Sequence, residues 1–268
     1  MTKLSKDKAF LISLIRERKT LLTVGLDSDI KKLPASLNQD VLAFNKAIID
    51  ATRDVCVSYK LNFAFYESLG LKGWDILEKT IHHIGDQHFI IADAKRGDIG
   101  NTSEMYARAV FDQLGCDAIT VNPYMGSDSV KPFMRGGKWV ILLAYTSNDG
   151  SHDFQKLKLE GGQKLYEQVM ATTSTYGNAD NTMYVVGATH PEELKQIRER
   201  YPEHFFLIPG IGAQGGDLDA VLKAGLNKDG GLLINASRSI IYASSGNDFA
   251  EKGRAEAEKM NAVIRKYM

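Results

Sequence analysis

The chain has 268 residues, with 33 Lys and Arg balanced by 33 Asp and Glu, 44% hydrophobic residues and two cysteines. That length suits one α/β barrel of about 250 residues, and a net charge of +0 leaves no broad positive field for a nucleic-acid backbone or an anionic membrane, so any bound anion needs a local site. Cys56 and Cys116 are too few for a disulfide framework and lack the CxxC or Cys/His spacing of a zinc site, which fits a reducing cytosol and buried thiols.

Met1–Lys8 is charged, and the apolar Ala9-Phe-Leu-Ile-Ser-Leu-Ile15 stops at Arg16-Glu-Arg-Lys19. It is too short to span a membrane, and no small-residue cleavage site follows, so the expectation is an amphipathic helix over about residues 5–18. The run Leu21–Gly25 comes next, then Val41–Ala51, whose apolar positions 41, 44, 48 and 51 form one helical stripe. Val57–Leu61 and Phe89–Ala92 are further apolar runs, and Thr102–Phe111 reads as a helix stopped before Gly115. Ala118–Val121, Trp139–Ala144 and Met183–Val186 follow. Pro191 then opens a helix where its missing N–H costs nothing and the following acids face the helix dipole. Phe205–Ile208, Gly231–Ile234 and a last helix over about Asp248–Tyr267 complete the chain.

Continuous rather than alternating apolarity suits strands buried on both faces of a parallel sheet. Eight such runs alternating with helices, without a Pro/Gly/Ser linker between halves, predict a single (β/α)8 TIM barrel over residues 1–268, with a doubly wound open sheet as the alternative. Unusual residues recur where the runs end: Asp27, Lys60, Asp93 with Lys95, Asn122, Thr146 with Ser147, Thr189 with His190, Pro209 with Gly210, and Ser237 with Arg238. That rim is where barrel enzymes place their chemistry.

Strand alternation puts Asp93 and Lys95 on one face, and a turn through Gly97 brings Asp98 back toward them or sends it to a neighbouring subunit. With Lys60 they make an alternating set of two ammoniums and two carboxylates, able to turn one lysine into a proton donor. A structural ion-pair network is the competing explanation, and the rim position favours catalysis. The loop Gly210-Ile-Gly212-Ala-Gln214-Gly-Gly216 departs from G-x-G-x-x-G, yet with Ser237-Arg238 after the eighth run it matches a phosphate site after strands 7 and 8. A plain glycine-rich turn is the bland alternative. His82, His83 and His88 read as surface or core histidines and His190 as a helix entry, so no metal is expected. Trp74, Trp139 and the tyrosines read as packing.

On these residues the chain resembles the orotidine 5′-monophosphate decarboxylases, most closely their second subfamily. The carriers are Val24-Gly-Leu-Asp27-Ser-Asp29, Tyr59-Lys60-Leu-Asn62 with Ala64-Phe-Tyr-Glu67, Asp93-Ala-Lys95-Arg-Gly-Asp98-Ile99-Gly-Asn-Thr102, Asn122-Pro-Tyr-Met-Gly126, Thr146-Ser147-Asn148 and Pro209-Gly-Ile-Gly-Ala-Gln214-Gly-Gly-Asp217. D-x-K-x-x-D and G-A-Q-G-G-D in one chain are a specific combination, whereas D-x-K alone is shared with related sugar-phosphate decarboxylases. The resemblance spans essentially the whole chain. It implies a cytoplasmic carboxy-lyase of pyrimidine biosynthesis, converting orotidine 5′-monophosphate to uridine 5′-monophosphate without cofactor or metal.

It also implies a homodimer, with Lys60, Asp93 and Lys95 from one subunit and Asp98 and Ile99 from the other. Lys95 would protonate C6. Asp27 and Thr102 would contact the ribose and Ser147 the pyrimidine, while Gln214 would bridge base and phosphate. Pro209, Gly212, Ser237 and Arg238 would complete the substrate site, with Arg238 on the phosphate and Ser237 standing where many relatives have Gly. A 3-keto-gulonate-6-phosphate type decarboxylase is the alternative enzyme; it needs Mg²⁺ and a carboxylate in place of Lys60. A silent phosphate-binding barrel is the non-enzymatic one.

Overall fold

In the computed structural model, which describes residues 6–211 and 216–268, each of the eight continuous apolar runs becomes a strand. The strands are β1 (Leu22–Gly25), β2 (Ser58–Asn62), β3 (Phe89–Arg96), β4 (Ala118–Val121), β5 (Trp139–Tyr145), β6 (Thr182–Val186), β7 (Phe205–Ile208) and β8 (Leu232–Ala236). All pair in parallel, in sequence order, and β8 returns to β1 to close a barrel. Closure removes both sheet edges and rules out the open sheet. The strands are buried on both faces, as their unbroken apolarity requires.

Helices α1 (Lys8–Arg18), α2 (Val41–Thr52), α3 (Phe63–Glu67), α4 (Leu71–Ile84), α5 (Gly100–Ala107), α6 (Ser127–Val130), α7 (Ser151–Phe154), α8 (Leu165–Thr173), α9 (Pro191–Arg200), α10 (Leu218–Gly225), α11 (Arg238–Ile241) and α12 (Phe249–Ile264) join the strands or flank them. The first helix starts later than the sequence suggests, because the Asp7 side chain accepts a hydrogen bond from Phe10 N at 2.9 Å and caps it there. The stripe of Val41, Phe44 and Ile48 is buried, as the 3-4 spacing predicts. The expected helix 102–111 begins at Gly100 and passes into a π-helical turn over Arg108–Gln113.

The largest departure is β3. Its apolar run ends at Ala92, yet the strand continues to Arg96, through a register shift against β4 in which Ala92 faces Ile119 and Arg96 faces Val121. The extra residues form a bulge, with Lys95 in left-handed backbone at φ 47°.

The N-terminal end of the barrel is closed by Lys6, whose buried ammonium donates to Asp117 Oδ2 at 2.9 Å and to the His88 carbonyl at 2.6 Å. The Lys6 carbonyl accepts from Trp139 Nε1 at 2.9 Å. One residue thereby ties together the starts of β3, β4 and β5, on the face away from the rim residues.

Candidate active site

The C-terminal ends of the strands surround a cavity of about 290 Å³. Asp27, Lys60, Asp93, Lys95, Ser147, Pro209, Ser237 and Arg238, all expected from the sequence, line it. At its centre the buried Asp93 carboxylate accepts from Lys60 Nζ at 2.7 Å and from Lys95 Nζ at 2.6 Å. Lys60 also lies 3.5 Å from Asp27 Oδ1. Within one chain the alternating charges are therefore Asp27, Lys60, Asp93 and Lys95. Asp98, expected either back at this cluster or across a subunit interface, is not on its own chain's cavity wall, and Asp27, expected as a ribose contact, lies beside Lys60.

Burial pulls the Asp93 carboxyl upward, but the two ammoniums outweigh it and hold the group well below the usual carboxylate range. Lys60 is governed by the opposite balance: burial would discharge it, and Asp93 with Asp27 raise it above its ordinary value instead. Lys95 is half exposed, at the open side of the set. Its conformation comes from the bulge rather than from simple strand alternation. Thr120 Oγ1 accepts from Lys95 N at 2.9 Å and donates to Asp93 Oδ1 at 3.1 Å, so one hydroxyl fixes both the strained backbone and the carboxylate.

The loop carrying Asp27 is clamped by two tyrosines. Tyr66 Oη donates to the Leu26 carbonyl at 3.0 Å and Tyr242 Oη to the Asp27 carbonyl at 3.1 Å. Just after β8, Ser237 Oγ donates to the Gly25 carbonyl at 3.1 Å. A Cβ on Gly25 would lie 2.8 Å from Ser237 Cβ, which is why the two strands can meet only around a glycine. Arg238 follows at the first position of α11. The β5 loop is held by Gln155, which accepts from Thr146 N at 2.8 Å and donates to Thr146 Oγ1 at 2.9 Å, leaving Ser147 and Asn148 on the cavity wall. Gly187 permits this path, since a Cβ there would come 2.7 Å from Ser147 N.

Gly212 and Gln214 lie outside the described residues. The base of their loop is pinched, with Gly216 N donating to the Gly210 carbonyl at 3.2 Å. Gly210 has φ 97° and lines the cavity.

Asp98, Ile99 and Thr102 are not brought to this cavity. Gly97 runs close to Asn122, whose carbonyl would be 3.0 Å from a Cβ there, and the chain then turns outward. Ser103 Oγ, buried under the loop, accepts from Asp98 N at 3.2 Å and donates to the Ser129 carbonyl at 3.0 Å. Ile99 is left 57% exposed.

Sequence reasoning missed Thr120 and Asn235 and gave no role to Asn62 and Asn148, which it quoted only within motifs; all four also line the cavity. Thr120 and Asn235 are each a polar residue inside an apolar strand, which takes on meaning only once the strand register is known. The opposite wall, Leu143, Val185 and Leu207 from β5 to β7, is apolar. The cavity thus has a charged side, an apolar side and an arginine end. Among the described residues no cluster of three His, Cys, Asp or Glu side chains fits a metal ion, and no helix is long and apolar enough to cross a membrane.

Residues 20–252 match the orotidine 5′-phosphate decarboxylase / HUMPS family. A relative from Phocaeicola vulgatus named orotidine 5′-phosphate decarboxylase is 52% identical over 269 residues, covering 98% of this chain and 99% of the relative. One of the same name from Flavobacterium johnsoniae is 54% identical over 253 residues, 92% of each chain. Among solved structures, Leishmania donovani OMP decarboxylase superposes with a TM-score of 0.80 at 39% identity, covering 95% of this chain and 98% of that one. The Plasmodium berghei orotidine 5′-monophosphate decarboxylase superposes with a TM-score of 0.84 at 25% identity, covering 97% and 99%.

Proposed function

The chain belongs to the orotidine 5′-phosphate decarboxylase / HUMPS family, and from that premise we propose that it converts orotidine 5′-monophosphate to uridine 5′-monophosphate, with Lys95 protonating C6 of the pyrimidine. The observation that carries this reading is the buried Asp93 held between two ammoniums in a cavity that ends at Arg238. The bond from C6 to the carboxylate breaks, carbon dioxide leaves, and the electron pair stays on C6. No adjacent group delocalises that pair, so a cation must stand beside the carbon. Lys95 supplies both the charge and the proton, and regains a proton from solvent.

Asp93 lies near the substrate carboxylate in this reading. At an effective dielectric of 20, charges about 4 Å apart interact by roughly 4 kcal/mol. That repulsion vanishes as carbon dioxide departs, while the fixed Lys95 charge stabilises the carbanion. Lys60 holds Asp93 in place and, with Asp27, meets the ribose. Arg238, Ser237, Pro209, Gly212 and Gln214 take the phosphate end, and Ser147 the pyrimidine edge. No cofactor or metal enters.

The site is completed in a homodimer, with Asp98, Ile99 and Thr102 entering the partner's cavity. Their position outside their own cavity supports this, as does the exposure of Ile99, Met105, Tyr124 and Met125 on the segments after β3 and β4. A cytosolic location in the pyrimidine pathway belongs to the same reading, supported by two free, buried cysteines.

The test is the loss of orotate absorbance when orotidine 5′-monophosphate is added with a chelator present. Turnover under those conditions is expected. Activity only with Mg²⁺ and an open-chain sugar phosphate would overturn the assignment.

A further inference from the structure

We propose that Asn235, on β8, is a further substrate-binding residue: a turn of its carboxamide brings Oδ1 from beside Gly25 to accept a hydrogen bond from an O–H in the cavity, either a ribose hydroxyl of the nucleotide or a water bridging to it. Asn235 lines the catalytic cavity while only 7% exposed, and its Oδ1, buried beside Gly25, has no hydrogen-bond partner among the described residues. Leaving a buried amide oxygen unsatisfied costs free energy, and an apolar residue of similar shape would fill the space without that cost. The neighbouring strands do use apolar residues here, Leu207 on β7 and Val185 on β6. An amide is therefore retained on this wall against its own stability.

The surroundings identify what it meets. Asn235 lies on β8, two residues before Ser237 and three before Arg238 at the start of α11. Toward β1, the absent side chain of Gly25 opens the space beside it: a Cβ there would be 3.2 Å from Asn235 Oδ1. Gly25 is in turn the register partner of Lys60. The carboxamide thus sits between the arginine end of the cavity and the Asp27–Lys60 pair, the stretch that a ribosyl group linking phosphate to base must cross. Along that stretch the donors of a nucleoside monophosphate are hydroxyl groups, which suit an amide oxygen.

The inference rests on the decarboxylase reading, and wild-type turnover of orotidine 5′-monophosphate is the control that separates the two. Asn235→Leu is expected to lower kcat/KM roughly 10- to 100-fold, the size of one lost buried hydrogen bond, while its melting temperature equals or exceeds that of wild type. A merely structural amide would show the reverse, a lower melting temperature with activity kept. Wild-type turnover together with an Asn235→Leu enzyme within twofold of it overturns this inference alone. A second measurement needs no variant: a crystal structure of the wild-type protein with uridine 5′-monophosphate should show Oδ1 within hydrogen-bond distance of a ribose hydroxyl, or of a water that also bonds the nucleotide. The two arms tell direct from bridged contact. An amide turned onto a protein partner, with neither contact present, overturns the proposal.

Discussion

Asp93 shows how burial and charge compete at one residue. Desolvation alone would push its carboxyl up, yet Lys60 and Lys95 keep it ionised far below the ordinary range. Because the folded value is depressed, its contribution to stability is complete above the unfolded value near 3.9 and is lost as pH falls below it. Lys60, raised, contributes below its unfolded value near 10.4 and loses that contribution as pH rises past it. Neither group changes charge near neutrality. The difference in urea midpoint between wild type and Asp93→Asn should accordingly stay constant from about pH 6 to 9 and shrink below about pH 4. A difference that drifts steadily between pH 6 and 9 would show that one of the two titrates there. Around this residue, the identities of Asp93, Lys95 and Lys60 were legible in the sequence, whereas Thr120 was not. A threonine inside an apolar strand announces no task; only its register beside the β3 bulge gives its hydroxyl two partners.

At the scale of the element, β3 is the strand that does not follow its pattern. Apolar periodicity ends it at Ala92, and the charged residues beyond read as a loop, but the ladder resumes at Arg96 after the bulge. Lys95 stands at φ 47°, where an L-residue is strained and glycine is not. Both Lys95→Ala and Lys95→Gly should abolish turnover, and the glycine variant should be the more stable of the two by about 1 kcal/mol. Equal denaturation midpoints for the pair would mean that the backbone relaxes once the lysine is gone. The strain is sustained because Thr120 holds Lys95 N on one side and the Asp93 carboxylate holds its ammonium on the other. Residue spacing assigned Asp93 and Lys95 a common face for the wrong reason: alternation does not survive a bulge, and the bulge itself turns Lys95 to the cavity.

Over the whole molecule, the ownership of Asp98 becomes testable. Lys95→Ala and Asp98→Ala should each be nearly inactive alone. Mixed and allowed to exchange subunits, they should recover roughly a quarter of the wild-type rate, because random exchange makes half the dimers mixed and each mixed dimer carries one intact site. No recovery despite demonstrated exchange would sink the shared site. The sequence by itself determined the barrel, since eight doubly buried apolar runs between helices have few ways to close. It also placed the charged residues at the strand ends, where charge is costly unless paired or used. Tertiary structure alone decided which carboxylate of the same chain faces Lys60. Asp27 and Asp98 are equally acidic in sequence, but the tyrosine clamps bring Asp27 within 3.5 Å of Lys60, while the turn at Gly97 carries Asp98 away. Tertiary structure likewise revealed Asn235, because an unpaired amide oxygen is a property of its surroundings, set by strands far apart in the chain, and not of the residue itself.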